Sequence, residues 1–545
     1  MRKIFMTLAF TLALFEIATA QKAIFKTGVD NVKLILDGQT VEGGWRVSPQ
    51  LNPDILETAA HEIVFISDID SLTINLNEWE SINFDMLTQH GDTARVMVTR
   101  SAKNQFDNPN PALLKVAPSG NLSRKQAEFD IDALVYGLSQ VHPDIFSVCR
   151  QEDFFRAVNK AKASLPDSVS NMELYRLTAP IVAMIGDGHT CLGVPFNTVF
   201  TEKLERLPVF VNVLTDRSII CTSSLDSIIP KGSKILSING VKSDDMLDSM
   251  MPFVSGERPH FKLSRIDGSF PGLFHMLYNA KQYEVKYLPK NSKKPLIHTF
   301  PAVTWSEIKK RCPSTRNRKR HENYSFSIDK ANNVAIMDFR EFSNIPKMEH
   351  FADSMFAALR DNNIGNLIID LRNNGGGNSR VGDILLRYIS PEPFVQMDKS
   401  LVKITPLTSR LMGNNEVQLM FQFHEADSTG YIQPLSPEEG HYTGTVYLLT
   451  SNKTFSSAGS FAWAFKECGM GTVIGEETGG MNVCYGDILM YPMPVSRMNT
   501  SISFKRFWQL RADENDIHGT IPDIAVPASD AMDAAMKLVR KNSSL

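Results

Sequence analysis

Three short apolar runs in the last third of the chain, VAIMDF (334–339), NLIIDL (366–371) and VYLLTS (446–451), are each followed by residues at helical spacing: MEHFADSMFAALRD, VGDILLRYI and AGSFAWAFKE. A fourth run, GTVIGEE, closes the series. Repeated strand-helix alternation connects through right-handed crossovers, so the fold class expected is α/β with a mixed, mainly parallel sheet. Such sheets gather ligands at the loops beyond the carboxyl ends of their strands. The chemistry is therefore sought in those loops.

NLIIDL leads into Arg372-Asn373-Asn374-Gly375-Gly376-Gly377-Asn378. Consecutive glycines let a backbone approach a ligand closely and aim N–H groups at an anion. A phosphate cradle would need a following G-K-[ST] or G-x-G-x-x-G spacing, and neither is present. A flexible turn and an oxyanion-stabilising loop remain as readings, the second of which requires a nucleophile. VYLLTS leads into Asn452-Lys453-Thr454-Phe455-Ser456-Ser457-Ala458-Gly459, which opens the next helix. Ser456 or Ser457 serves either as a helix N-cap or as a nucleophile near the positive helix end. A serine nucleophile needs a base. Of the 12 histidines, His189 stands in a tight Gly186-Asp187-Gly188-His189-Thr190 turn after an apolar helix, and His518 in Asp516-Ile517-His518-Gly519 is its rival. A solvent-exposed turn histidine is the plainer reading of His189. No clustered Cys/His spacing occurs, so neither a metal nor a cofactor is expected.

The rest of the chain divides by pattern. Residues 1–20, with Arg2 and Lys3, an apolar run from Ile4 to Phe15 and then Ala18-Thr19-Ala20, have the plan of a signal peptide. The protein is thus expected to be exported, periplasmic or extracellular, and no later run approaches the roughly 18 apolar residues of a stable membrane span. Short alternating runs over 21–115 predict a β-rich N-terminal domain, and helical spacing over 120–200 predicts a helical segment, opened by a Ser123/Gln126 capping box and closed by the D-G-H-T turn. Strands return over 205–290, where KILSINGV is punctuated by Asn239-Gly240. Residues 291–325 carry Lys309-Lys310-Arg311 and Arg316 to Arg320 and read as a basic linker, 326–530 is the α/β domain, and 531–545 a C-terminal helix or tail. A formal net charge of −3, from 57 Lys+Arg against 60 Asp+Glu, excludes a general basic field for nucleic acid. The six cysteines, without C-x-x-C spacing, give no disulfide framework.

The motifs NLIIDLRNNGGG, TFSSAGS, GEETGG and HGTIPDIAV, in this order over residues 330 to 527, resemble those of the C-terminal processing (tail-specific) peptidases and the tricorn core proteases. The resemblance implies a crotonase-like ββα spiral for the α/β domain and a PDZ-like domain at 205–290. It also implies a serine endopeptidase acting through an acyl-enzyme on a peptide or unfolded protein, with a free C-terminus preferred. On that resemblance Ser457 is the nucleophile, and the N–H groups of Ala458 and of Gly375 or Gly376 are oxyanion donors. His189 is the base of the tricorn-like branch and Asp516 its orienting carboxylate, with Glu514 as fallback. Two departures stand out. Asn482 occupies the position, about 25 residues after the serine, where the tail-specific branch has its lysine base, and Ser460 replaces an acidic residue after S-A-G. They motivate the alternative of a catalytically degenerate peptide-binding protein on the same scaffold.

Overall fold

The computed structural model describes residues 24–110 in segments, and from residue 111 onward all but 118–119, 196–200, 313–321, 414–421, 428–429 and 543–545. The expected signal peptide at 1–20 and the run Arg316 to Arg320 lie outside the described residues. The chain forms two compact units, one of residues 1–115 with 402–425, the other of the remainder.

In the first unit, two sheets share one core. Strands Ile24–Lys26, Ser81–Leu87, Thr93–Arg100 and Asp54–Thr58 form one sheet, and Asn31–Leu36, Glu62–Ile66 and Ser71–Asn75 run through the other. Alternation puts Val32, Leu34, Ile63 and Phe65 on the inner face, against Phe25, Phe84 and Val96.

The second unit begins with helices α1 (Arg124–Val141), α2 (Gln151–Ala163) and α3 (Asn171–Ala183). Ser123 with Gln126 and Ser170 with Glu173 close capping boxes on α1 and α3, satisfying otherwise unpaired helix-end N–H groups. An antiparallel sheet follows, with strands from Val209–Val213 to Leu296–Pro301, and carries helix α4 (Pro259–Tyr278). Within it Asn239 (φ 48°) and Gly240 (φ 80°) make the turn between Lys234–Ile238 and Val241–Lys242. The expected basic linker differs from the structure in its first half. Leu296–Pro301 is a strand of this sheet, and Lys309 and Arg311 belong to the capped helix Trp305–Arg311, where they pair with Glu202 and Asp226. A Thr304/Glu307 capping box starts a helix that the charge run concealed.

The α/β part is a six-stranded sheet. Its edge strand Tyr324–Asp329 runs antiparallel to β1 (Val334–Phe339), after which β2 (Asn366–Asp370), β3 (Thr445–Thr450), β4 (Thr472–Gly475) and the short Ile524–Ala525 pair in parallel. Helices α5 (Ile345–Asp361), α6 (Arg380–Ile389) and α7 (Ser457–Glu467) cover one face. α5 buries Met348, Ala352, Met355, Phe356 and Leu359, a single apolar stripe; each large side chain there is worth roughly 1.5–3 kcal/mol. Helix α8 (Ala531–Asn542) sets Ala531, Ala535 and Val539 on the other face. Beyond β4, strands β5 (Val483–Pro492) and β6 (Asn499–Gln509) form a long antiparallel pair. Buried Asp130 of α1 accepts the N–H groups of Val495 and Ser496 at the tip of that pair, fastening it to the helical segment. The other edge of β6 pairs with Cys191–Leu192, directly after the D-G-H-T turn.

Candidate active site

The turn between β3 and α7 is stitched to the glycine loop that follows β2. The Thr454 hydroxyl donates to Leu371 O at 2.8 Å, the Ser451 hydroxyl to Arg372 O at 2.6 Å, and the Phe455 N–H to Asn374 O at 3.1 Å. This stitching holds Ser456 at φ 57°, ψ −131°, a conformation that costs a non-glycine residue on the order of 1–3 kcal/mol. α7 then starts at Ser457. Gly376, at φ +101°, lies so close that a Cβ there would be 2.8 Å from both Phe455 O and Ser456 Cβ. Only glycine permits that approach. The Ser457 hydroxyl, in a residue 6% exposed, donates to Gly377 O at 2.6 Å.

His189 reaches this turn through β6 and α4. Asp187 is fully buried; its Oδ1 accepts the His189 N–H at 2.9 Å and its Oδ2 the Ser503 hydroxyl at 2.6 Å. Ser503 N–H donates to Thr190 Oγ1, and the Ser501 hydroxyl to His189 O. The intervening Gly188 is clamped from the α4 side, its N–H donating to Glu257 Oε1 at 3.0 Å and its carbonyl accepting from Arg265 at 2.7 Å. The His189 ring lies 4.4 Å from that of Phe455, which stacks in turn on Phe261 at 4.3 Å. A small cavity, with room for about one water, opens beside them and is lined in part by His189, Phe455, Ser456 and Gly459.

The carboxylates are arranged differently from the sequence-based expectation. The ring nitrogen His189 Nδ1 faces Asp187 Oδ1 at 3.7 Å, an ion-pair separation rather than a hydrogen bond, and is buried without a hydrogen-bond partner among the described residues. Asp516 is not brought to His189. Its Oδ1 accepts from His518, both the main-chain N–H at 3.0 Å and Nδ1 at 2.7 Å, because the two residues share one short turn. Glu514 is also engaged elsewhere, with Trp508 Nε1 at 2.7 Å and Arg506 at 3.4 Å. His518, the rival base, is consequently the histidine that holds Asp516. Asn482 is a buried brace for the same turn, its Nδ2 donating to Asp516 O at 2.7 Å and its N–H to His518 O at 2.9 Å. Ser460 is buried within α7.

Two of the expected oxyanion donors are also occupied in this conformation. The Ala458 N–H donates to Phe455 O at 3.1 Å within the tight turn that opens α7, and the Gly376 N–H to Asn374 Oδ1 at 2.9 Å. The N–H of Gly375, an exposed residue, has no partner among the described residues.

Sequence reasoning missed three groups here. Asp187 had a signal, an Asp two residues before the candidate histidine in a Gly-rich turn, where an Asx-type bond is to be looked for. The backbone of Ser456 and the carboxyl of Glu257 had none. Burial pushes the Asp187 carboxyl up, but the bonds and charges of His142 and His189 more than reverse this and hold it well below the usual carboxylate range. Burial first, and then the negative field of Asp187, push Glu257 up to about 7. Asp187, His189 and Glu257 offer ligand atoms within 4.8 Å of one another, a set that could hold a metal ion.

Residues 333–526, which span β1 to the last strand of the parallel sheet, match the model of peptidase family S41. Among solved structures, mature CPAF complexed with lactacystin is similar, with a TM-score of 0.55 and 14% identity over 77% of this chain and 98% of that one. Mature CPAF alone gives 0.53 and 14% over 76% and 97%. These likenesses establish a shared multidomain α/β fold with mixed sheets and helices. Residues 333–526 are thus a domain similar to peptidase family S41, and this likeness supports a serine-type peptidase, a hydrolase of peptide bonds.

Proposed function

We propose that the protein is an exported endopeptidase that cleaves peptide or unfolded protein chains through an acyl-enzyme on Ser457, with His189 as base and Asp187, in place of Asp516, as the carboxylate that positions it. The observation that carries this reading is that His189 and the strained Ser456 line one cavity, with Gly376 packed against Ser456 at the start of the Ser457 helix. In the first step His189 takes the Ser457 proton as Oγ attacks the substrate carbonyl, and it later returns that proton to the leaving amine. Water then attacks the ester, with His189 again as base. Asp187 favours the tautomer with the proton on Nδ1 and stabilises the imidazolium as it forms. Before attack the Ser457 hydroxyl must leave Gly377 O; the Gly375 N–H is the donor already open to the developing oxyanion.

Export rests on the plan of residues 1–20, and the domain limits proposed are those of the sequence pattern, with 205–290 as a PDZ-like domain. Such domains add an extended peptide to a sheet edge and can capture its terminal carboxylate, which supports a preference for free C-termini. Ser457→Ala is expected to abolish hydrolysis of an unfolded protein substrate and labelling by a fluorophosphonate probe. Hydrolysis at the wild-type rate by the purified variant would refute the nucleophile.

A further inference from the structure

One ligand atom from each of Asp187, His189 and Glu257 lies within 4.8 Å of the other two. Some point is therefore within about 2.8 Å of all three, 4.8 Å divided by the square root of three. Zinc bonds to imidazole nitrogen and carboxylate oxygen run about 2.0–2.2 Å, so side-chain movements of less than about 1 Å would close a three-ligand site. Two atoms here are also without hydrogen bonds. Glu257 Oε1 accepts the Gly188 N–H, while its Oε2 is buried and unpaired among the described residues. His189 Nδ1, the ring nitrogen that faces Asp187, is likewise buried and unpaired among them. Such atoms are costly to leave unmatched. Among the described residues neither carboxylate forms an ion pair with a Lys or Arg, and Arg265 is turned to Gly188 O at 2.7 Å. The third member is already braced from behind: Asp187 Oδ2 accepts the Ser503 hydroxyl at 2.6 Å and faces His142 Nε2 at 3.4 Å, the kind of outer contact that orients a metal ligand. The His189 side chain keeps 16% of its surface exposed, which puts the trio next to solvent.

We propose that Asp187, His189 and Glu257 form an inhibitory site for a divalent cation, zinc foremost, which binds His189 Nδ1 together with one oxygen of each carboxyl group and so disables the base. The inference rests on His189 being that base. One imidazole nitrogen and two carboxylate oxygens suit Zn²⁺, with water in the fourth tetrahedral position. Mg²⁺, which demands a near-ideal octahedron and dehydrates reluctantly, fits them poorly. A neutral imidazole has one proton for two nitrogens. In the proposed reaction that proton sits on Nδ1, and Nε2 receives the proton of Ser457. Zinc on Nδ1 reverses the two: the proton moves to Nε2, which then has no lone pair to offer the serine hydroxyl. The imidazole neither gains nor loses a proton, and withdrawal of the ion by a chelator restores the working tautomer.

The test uses the full chain, treated with EDTA and desalted. Calorimetric titration of zinc chloride into the wild type should reveal a saturable site of micromolar affinity or tighter. Glu257→Gln, which keeps an acceptor for the Gly188 N–H, and His189→Ala should each weaken that site by about 10–100-fold or more, since even the outer partners of metal ligands are worth that much. Hydrolysis of a fluorescently labelled unfolded protein by the wild type should fall by about tenfold or more as the site fills and should return on adding EDTA, whereas millimolar magnesium should leave it unchanged. In Glu257→Gln the ratio of rates with and without zinc, from which any change in basal rate cancels, should respond only at correspondingly higher zinc. The absence of a saturable site, a site equally tight in both variants, equal inhibition by magnesium, or undiminished hydrolysis with the site filled would overturn the proposal. His189→Ala hydrolysing at the wild-type rate would instead refute the base on which the inference rests, a failure that the calorimetry separates from the absence of an ion site.

Discussion

Glu257→Gln isolates the energetic consequence of placing two carboxyl groups beside one imidazole. Glu257 accepts the Gly188 N–H with one oxygen, the other is buried without a partner among the described residues, and its carboxyl is raised from 4.5 to about 7 by burial and then by Asp187. The native state therefore keeps a proton that the unfolded chain releases above 4.5. Native stability from this group is greatest below 4.5, falls as the pH climbs to about 7, and is constant beyond that. A displacement of about two and a half units corresponds to on the order of 3 kcal/mol. Glutamine preserves the size and the acceptor for Gly188 but never ionises. Urea unfolding followed by tryptophan fluorescence, at a series of pH values from about 4.5 to about 8, should show the variant gaining on the order of 3 kcal/mol over the wild type as the pH rises. Parallel curves for the two proteins would refute the reasoning, because they would mean that Glu257 titrates alike in the folded and unfolded chains.

Asp187→Asn removes the charge facing His189 and should lower kcat by on the order of 10³-fold or more, whereas Asp516→Asn should lower it by less than about tenfold. Steady-state kinetics on both variants checks this, and the opposite ranking would return Asp516 to the orienting role. Gly376→Ala places a methyl group 2.8 Å from Phe455 O at a φ of +101°. Thermal unfolding should reveal a loss of at least about 1–3 kcal/mol, accompanied by loss of fluorophosphonate labelling; a variant with wild-type stability and labelling would show that the loop moves away at little cost.

The parallel sheet was legible because three of its strands, VAIMDF, NLIIDL and VYLLTS, are short apolar runs each followed by a stripe of helical spacing. NLIIDL and MEHFADSMFAALRD carry that information locally. The serine turn and the glycine loop were legible for the same reason, being fixed by position at strand ends. The orienting carboxylate was not, since Asp516 and Asp187 are equally plain Asp residues until the fold decides which one meets the imidazole. The turn Asp516-Ile517-His518 satisfies its own carboxylate within two residues, a local competition that motif spacing does not register. Glu257 lies 68 residues from His189 in the chain and is hydrogen-bonded to the site through the Gly188 N–H. Lys309 and Arg311 misled in the opposite sense, because a run of positive charge outweighed the Thr304/Glu307 cap in front of it.

The bond from Ser457 to Gly377 O bears on how the enzyme avoids self-inflicted chemistry. A peptide oxygen accepts the hydroxyl proton but cannot remove it, so the serine at rest is no better a nucleophile than a free alcohol. On the mechanism proposed above, reactivity requires that contact to break and the hydroxyl to turn toward His189. Small acylating agents that do not fill the cleft should consequently react slowly, and the selectivity of the enzyme begins with a rotation about one side-chain bond, before any peptide bond is strained.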